Sequence, residues 1–370
     1  MMKKSDLKIL VFFICLFFVP HTYSQTSTFS PTGSFSLDMG VPAKPHNEAF
    51  ELTMEGLLNA GIDYAELSGK QYNPASPTNP NSFDYENFYT GINRNTLLDF
   101  YFNYKKNVES INTVVDLTAG HSFQEFYVES SRSETDNGSL VARPISVNRN
   151  ALESYFARAN FDFEDKYLIS LSYRYDGSSR FSEDNRWGSF PGISVGWKVT
   201  NEEFMANSFF SNLKLRAGWG ITGQQEIGPN YGYLGIYTPG RSDAAVQFGN
   251  SFVNTLRPEE FDENLKWEET TQYNVALDFG LFNDRLTGTV DAYYRETKDL
   301  LATVPTAAGS NLADLLTTNV GSTTSKGIEI GLSGDLYKSD DFNWDLGFNL
   351  TFQDVEITNL SLGNDPNYFI

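Results

Sequence analysis

Two glycine-rich motifs match patterns that can carry chemistry, and the first is that of a nucleophilic serine. Residues 192–196 read Gly-Ile-Ser-Val-Gly, the G-x-S-x-G pattern. That chemistry needs a strand-to-helix turn at the serine and, in this class of hydrolase, a histidine later in the chain. Ser194 instead lies within an alternating apolar pattern, which predicts a continuous strand. The histidines all precede it: His21, His46 and His121. We therefore predict no serine hydrolase.

The second motif, at residues 218–223, matches the G-x-G-x-x-G pattern of dinucleotide-binding proteins. A dinucleotide site requires the motif to open a helix. Here Gly228-Pro229 follows within a few residues, and the intervening sequence has no helical period. Glycines that alternate along a strand indicate positions where another group packs against the backbone. We therefore predict a strand and no nucleotide cofactor.

Metal and carbohydrate chemistry are the other candidates that the side chains raise. The sequence has no His/Cys spacing that suits a metal site. Two acidic pairs, Asp262-Glu263 and Asp340-Asp341, could hold calcium, although solvated loops commonly contain such pairs. Asp and Glu total 47, but no carboxylate pair stands out as that of a glycosidase. We predict that the chain is not an enzyme, with no catalytic, cofactor-binding or metal-binding residues.

Aromatic side chains in long loops could stack on a sugar ring. These residues are Trp187, Tyr231, Tyr233, Tyr237 and Trp267. Packing within a loop is the commoner role for such residues, so the residues that bind a substrate stay unknown from the sequence.

The composition limits the class of protein. The chain has 370 residues and a net charge of −20, which argues against a nucleic-acid partner because no basic surface is available for phosphates. Aromatic residues make up 15%, yet the mean hydropathy is only −0.36. That combination is typical of strands with one apolar and one polar face. A helical membrane protein would need apolar runs of about 20 residues.

The most regular strand pattern lies between Thr271 and Lys298. Two arms alternate strictly between apolar and polar residues, and Asn283-Asp284 lies between them. Each arm has about 10 residues, the length of a tilted strand that crosses a bilayer. The segment therefore predicts a membrane hairpin with Asn283-Asp284 as its turn.

About ten such strands follow one another from residue 97, and the lengths of their connections alternate. Short connections are predicted at 106–111, 164–166, 282–285 and 338–341, and long ones at 123–150, 177–189, 222–270 and 298–326. The connection at 200–211 is intermediate and predicts a small amphipathic helix. This alternation is typical of an antiparallel transmembrane β-barrel of the outer-membrane type, with short periplasmic turns and long extracellular loops. Aromatic residues at both ends of the apolar faces fit interfacial girdles.

Three segments are predicted. Residues 1–25 have the basic, apolar and small-residue layout of a signal peptide, which contains the single cysteine, Cys15. Residues 26–96 are poorly defined and rich in loops, with at most one or two strands. Residues 97–370 form the barrel region.

Several long motifs resemble a known family. They read RYDGSSRF (174–181), NRWGSFPGISVGW (185–197), SNLKLRAGWGITGQQEIG (211–228), LKWEETTQYNVALDFGLFNDRLTGTVDAYYRETKDLL (265–301), TTNVGSTTSKGIEI (317–330) and DFNWDLGFNLTF (341–352). In order and spacing they resemble the SusC/RagA family of TonB-dependent outer-membrane transporters of Bacteroidetes.

The resemblance implies an all-β barrel of about 22 strands with a plugged lumen. Such a protein imports oligosaccharides or peptides, works with a SusD-like surface lipoprotein, and receives energy from TonB. The sequence departs from the family in having no TonB box or plug motif before the strands, and in stopping after about ten strands. We therefore expect a truncated or split member, with outer-membrane lipid around it.

Two alternatives remain from the residues alone. The first is a small, self-contained outer-membrane barrel that acts as a pore or a structural protein. The second is a secreted carbohydrate-binding β-sandwich, which would be soluble without detergent.

Overall fold

The computed structural model describes residues 53–75, 84–136, 139–142, 145–226, 230–240, 245–306, 315–338 and 342–359. The predicted signal peptide, His46 and the acidic pair Asp340-Asp341 lie outside these residues.

The described residues are organised as β-strands. In chain order they are β1 (Thr53–Asn73), β2 (Tyr85–Val108), β3 (Thr113–Asp136), β4 (Ser139–Ala142), β5 (Ser146–Phe163), β6 (Tyr167–Ser178), β7 (Trp187–Lys198), β8 (Phe210–Gln224), β9 (Tyr237–Pro239), β10 (Ala245–Phe248), β11 (Ser251–Asn254), β12 (Leu256–Pro258), β13 (Glu268–Leu281), β14 (Leu286–Lys298), β15 (Leu301–Pro305), β16 (Leu315–Asn319), β17 (Ser322–Lys338) and β18 (Asn343–Asn359). A single sheet with the path β1-β2-β3-β5-β6-β7-β8-β13-β14-β17-β18 contains all the long strands, and β4 pairs with β3 beside this path. Each strand of the path pairs antiparallel with the next.

The remaining elements are short. Three two-stranded hairpins, β9–β12, β10–β11 and β15–β16, lie in the long connections. The helices of the described residues are 3-10 turns at Glu109–Ile111, Val199–Asn201 and Glu203–Met205. The amphipathic helix predicted at 200–211 is therefore wrong, since two single turns and the start of β8 occupy that segment. None of the helices in the described part of the chain is long and apolar enough to span a membrane.

The predicted hairpin between Thr271 and Lys298 is confirmed in its register. Tyr273 lies opposite Tyr294, and Leu277 lies opposite Val290, so the two apolar faces coincide. Phe282, Asn283 and Asp284 form the turn with positive φ angles of 57°, 57° and 61°. Asn and Asp tolerate this left-handed conformation better than other residues with a Cβ.

The two faces of the sheet differ in chemistry. One face presents large apolar side chains that are substantially exposed, among them Val195 (44%), Leu215 (44%) and Val275 (60%). The other face carries polar residues, and residues of β2, β3, β5, β6, β7, β8 and β13 line one cavity of about 460 Å³ there. One apolar face and one polar face are the arrangement of a barrel wall with lipid outside and an aqueous lumen inside.

The connections alternate between the two ends of the sheet as predicted, but one predicted loop is wrong. The segment 123–150 is largely strand, since β3 continues to Asp136 and β5 begins at Ser146. β2 and β3 each have 24 residues, whereas a membrane crossing needs about 9–11. Along the upper part of β3, outward positions mix Glu125 and Glu129 with Phe123 and Tyr127, so the strict apolar alternation is lost. The sheet begins at Thr53, so β1 and the first part of β2 are the one or two strands expected within 26–96.

The topology separates the alternative folds. A β-sandwich needs two packed sheets, but in the described residues all long strands belong to one sheet. A small closed barrel needs β1 to pair with β18, and these are the two ends of the sheet path across the described ranges.

Gly120 on β3 shows how closely the lumenal face packs. A Cβ at this position would lie 2.4 Å from the Cβ of Tyr101 and 2.6 Å from the carbonyl oxygen of Phe100. The rings of Tyr101 and Phe156, from the two neighbouring strands, approach each other across it with centroids 6.3 Å apart. Only glycine leaves room for this contact without moving the backbone.

We expect Gly120→Ala to destabilise the sheet by roughly 1–3 kcal/mol, because the added methyl group must displace a neighbouring strand. Urea unfolding in detergent micelles, followed by circular dichroism, measures the difference. Gly347→Ala is the matched control, since nothing lies within 4 Å of a Cβ there. Equal stability of the two variants would contradict the packing argument.

Glu202 lies in the connection between β7 and β8, at the end of the sheet where the short turns are, and binds side chains of β6 and β7. Tyr167 Oη and Trp197 Nε1 both donate to Glu202 Oε1, at 2.6 and 3.0 Å, and Lys166 Nζ lies 3.4 Å from Oε2. The hydrogen bonds from Tyr167 and Trp197, with the charge of Lys166, hold the pKa of the Glu202 carboxyl below its ordinary value of 4.5. The carboxylate thus fixes two girdle aromatics to the turn.

Glu202→Gln is expected to lower the unfolding temperature at pH 7. A depressed pKa in the folded state stabilises above the unfolded value and loses that contribution as the pH falls through the folded pKa. The difference between the wild type and the variant should therefore shrink below about pH 4.5. Differential scanning calorimetry at several pH values measures it, and Glu203→Gln, at an exposed neighbour, is the control. A difference independent of pH would count against the carboxylate's role.

Candidate functional site

The G-x-S-x-G motif at 192–196 and the G-x-G-x-x-G motif at 218–223 both lie within strands, as predicted. Ser194 lies inside β7, directly opposite Ser170 on one side and Gly218 on the other. His121 is on β3 and binds Glu153, with 3.1 Å between Nε2 and Oε1. The glycines of the second motif belong to β8, and a Cβ at Gly218 would lie 2.5 Å from Oδ1 of Asn274. The prediction that a group packs closely on the backbone is confirmed at Gly218 and Gly223, whereas Gly220 has only ordinary contacts at 3.5 Å.

Asp262, the first residue of the acidic pair Asp262-Glu263, has a structural role. Asp262 accepts hydrogen bonds from Thr318 Oγ1 at 2.5 Å and from the backbone of Asn264 at 2.9 Å. Among the residues that the structure describes, no group of three or more His, Cys, Asp or Glu side chains could hold a metal ion.

Trp267 is the centre of a buried cluster at the long-loop end, which we call the loop core: Phe181, Phe190, Leu265 and Trp267. The ring of Trp267 lies 5.3 Å from that of Phe181 and 5.2 Å from that of Phe190. Its Nε1 donates to the backbone oxygen of Arg186 at 2.9 Å. Trp267 is 6% exposed, so it packs between loops and is unavailable to a ligand.

The loop core fills a gap between two strands. β7 pairs with β8 only from Gly192 to Lys198, whereas β8 continues to Gln224 alongside β13. Above Gly192 the two strands therefore separate, and Phe190 and Trp267 lie in the opening. Ring atoms of both residues fall within 3 Å of a Cβ built on Gly223.

Further polar contacts join the loops around this core. Asn319 donates to the carbonyl oxygens of Lys266 (2.9 Å) and Asp299 (2.8 Å) and accepts from the backbone of Lys266. The backbone of Leu301 donates to Glu268 at 2.9 Å. The connections after β6, β8 and β14 thus form one assembly.

The other loop aromatics are not gathered into a binding platform. Trp187 begins β7 on the outward face and stacks on Tyr175, with centroids 4.8 Å apart and planes at 12°. It belongs to the girdle. The ring centroids of Tyr231 and Tyr233 are 6.4 Å apart, and Tyr237 on β9 is 65% exposed.

The lower lumen contains a charged network. Arg216 donates two hydrogen bonds to Asp278, each of 2.8 Å, and lies 3.4 Å from Asp291. Thr289 Oγ1 lies 3.2 Å from Asp278 Oδ1 and 2.9 Å from Asp291 Oδ2. These groups are bound to one another, so the network stabilises the wall.

The upper lumen contains a different kind of recess, which we call the amide cavity. Its volume is about 620 Å³, within the range of ligand pockets. Carboxamide side chains dominate its lining: Asn93, Asn95, Asn148, Asn150, Gln224, Gln225 and Asn230. The other lining residues include Phe126, Arg180 and Glu226. Burial lowers the pKa of the Arg180 guanidinium, which donates to the backbone oxygen of Gln225 at 3.3 Å.

The sequence analysis did not find this cavity. Asn93 and Asn95 fall in the segment that seemed uninformative, and Asn148 and Asn150 fall in the predicted loop at 123–150. A signal was present, because Asn-Arg-Asn occurs at 93–95 and again at 148–150. The spacing of two residues places both asparagines on one face of a strand.

An outward recess of about 660 Å³ is lined by apolar residues such as Ile169, Leu215 and Val275. It lies on the face that lipid covers, so it does not compete with the amide cavity as a ligand site.

A tilted antiparallel wall with an apolar outside, a polar inside and long loops at one end defines an outer-membrane β-barrel protein. Comparison with known proteins gives the family. The sequence profile of the TonB dependent receptor-like, beta-barrel family matches residues 18–369. The chain belongs to this family of outer-membrane receptors, which are not enzymes.

Two curated relatives and one solved structure illustrate the similarity. The TonB-dependent receptor SusC of Bacteroides thetaiotaomicron is 38% identical over 325 residues, covering 84% of this chain and 32% of the relative. The TonB-dependent receptor P39 of Formosa agariphila is 34% identical over 322 residues, covering 81% and 30%. The RagAB peptide transporter has a TM-score of 0.72 and 25% identity, covering 84% of this chain and 35% of that chain. The chain spans about a third of the length of these curated relatives.

Trp267→Ala is expected to destabilise the loop assembly by about 3–5 kcal/mol, because it leaves a cavity in the loop core. Limited proteolysis in detergent should show earlier cleavage within 225–267, while the circular dichroism of the sheet persists. Trp187→Ala, which removes an outward-facing indole, is the control and should leave the loop cleavage unchanged. Equal cleavage rates for Trp267→Ala and the wild type would rule out the loop core as the stabilising element.

Proposed function

We propose that this chain is part of an outer-membrane importer of oligosaccharides or peptides that is driven by TonB. The observation that carries the proposal is a barrel wall whose lumenal face holds a ligand-sized polar cavity at the extracellular end. Membership in a family of TonB-dependent receptors supports the energy source. The similarity to RagAB, a peptide transporter, and to the TonB-dependent receptor SusC supports the class of activity.

The position of the cavity fits import. The long loops lie at the extracellular end in a barrel of this type, and the amide cavity lies just below them, beside Gln224 and Asn230. A ligand that enters from outside therefore meets neutral amide groups before it reaches the charged network at Arg216.

A SusD-like surface lipoprotein is the proposed extracellular partner. The β10–β11 hairpin carries Phe248 and Phe252, which are 70% and 72% exposed, and Val246 is 45% exposed. Exposed aromatic side chains on an extracellular loop are unfavourable in water and suit a protein contact. We propose that this hairpin contributes to the lipoprotein contact.

Uptake by cells that carry the gene tests the proposal. Labelled oligosaccharides or peptides should accumulate at least tenfold faster than in cells from which the gene is deleted. A protonophore should abolish the difference, because TonB transmits energy from the inner-membrane proton gradient. Uptake that continues at the same rate in the presence of the protonophore would contradict a TonB-driven importer and favour a passive pore.

A further inference from the structure

The repeated Asn-Arg-Asn segments flank the same stretch of β3. One is on β2 and the other on β5, and these are the two neighbours of β3 in the sheet. Asn95 and Asn150 lie opposite Phe126 from its two sides, and Asn93 and Asn148 lie opposite Val128. The lumenal face therefore shows two parallel rows, each with an apolar residue between two amides. Within a row the amides are two strand spacings apart, about 9.5 Å.

The arginines between the asparagines hold this arrangement from the opposite face. Arg94 and Arg149 both lie opposite Tyr127 of β3. Both donate to the carboxylate of Glu125, Arg94 at 3.4 Å from Oε1 and Arg149 through Oε2. Arg94 also lies 4.9 Å from the centre of the Tyr127 ring. An ion-paired cluster therefore spans the three strands on the face opposite the two amide rows.

Only some of the amide groups in the two rows form hydrogen bonds with other side chains of the protein. Asn230, from the loop after β8, donates to Asn148 and, at 3.3 Å, to Asn150. In the described part of the chain, no side-chain hydrogen bond is made by Asn93 or Asn95, and Asn93 is exposed. The buried Oε1 of Gln225, which also lines the cavity, accepts no hydrogen bond from the described residues. Buried polar atoms are normally satisfied, so this acceptor is available to a donor on a ligand.

We propose that the amide rows form a binding site for a neutral carbohydrate unit. Adjacent sugar hydroxyls are both donors and acceptors, and each carboxamide offers one group of each kind. The ring of Phe126, between Asn95 and Asn150, provides the apolar surface on which the C–H face of a sugar can rest. The charged lining residues, Arg180 and Glu226, are of opposite sign, so the cavity has no net charge that would favour an acidic sugar.

This proposal rests on the proposed import function and names the ligand and the residues that bind it. Titration calorimetry on the purified chain in detergent tests it. The probes are neutral gluco-, manno-, galacto- and xylo-hexasaccharides, an oligogalacturonate, and an uncharged hexapeptide. We expect a neutral hexasaccharide to bind, and Asn95→Leu to weaken it roughly tenfold through the loss of a hydrogen-bonding pair.

Two further variants separate the site from the fold. Phe126→Leu keeps the row apolar but removes the ring, and should weaken binding severalfold. Asn349→Leu makes the same change as Asn95→Leu on the lumenal face of β18, opposite Gly331, and should leave affinity unchanged. Circular dichroism of each variant confirms that the sheet is intact.

The outcomes are distinct. A neutral hexasaccharide that binds equally to the wild type and Asn95→Leu would overturn the site and leave the import function in place. Binding of the peptide or the oligogalacturonate alone, weakened by Asn95→Leu, would overturn the ligand class. If no probe binds, the amide site is overturned, whereas the import function is judged separately by protonophore-sensitive uptake.

Discussion

The structure depends on one constraint, which is that every backbone N–H and C=O within the hydrocarbon layer must be hydrogen-bonded by protein. Among the described residues, neighbouring antiparallel strands meet this requirement along the sheet path between β1 and β18. Once the backbone is paired in this way, the side chains must alternate between two environments. The outward positions of β7, β8 and β13 are consequently apolar and exposed, and the inward positions are polar or glycine.

Above the membrane the constraint is relaxed, and the wall changes accordingly. Strands β2 and β3 continue for 24 residues because water and neighbouring strands can satisfy their backbone groups. β7 and β8 separate above Gly192, which would not be tolerated in lipid, and the loop core fills the opening. The same separation allows the loop after β8 to fold back, so that Asn230 reaches Asn148 and Asn150 on β5.

The two polar regions of the lumen have different consequences. The charge of Arg216 is paired with those of Asp278 and Asp291, and removing one of these side chains would leave an uncompensated charge. The amide cavity contains neutral groups, whose hydrogen bonds can be exchanged for those of a ligand at low cost. A rigid charged network below and an adaptable neutral surface above give the wall stability and a place for recognition at the same time.

The sequence by itself determined the class of fold, the register of the hairpin at Asn283-Asp284, and the family, because alternation in lipid is strict and long motifs are local. It also showed that the serine and glycine motifs are strands, since Ser194 lies within an alternating run. Local patterns could not show that β3 and β5 continue through 123–150, because polar strands outside the membrane resemble loops. Only the tertiary structure decided that Trp267 is buried and that two Asn-Arg-Asn segments, more than 50 residues apart in the chain, flank Phe126. Such proximity is set by the pairing of β2 and β5 with the same strand, which residue spacing does not encode.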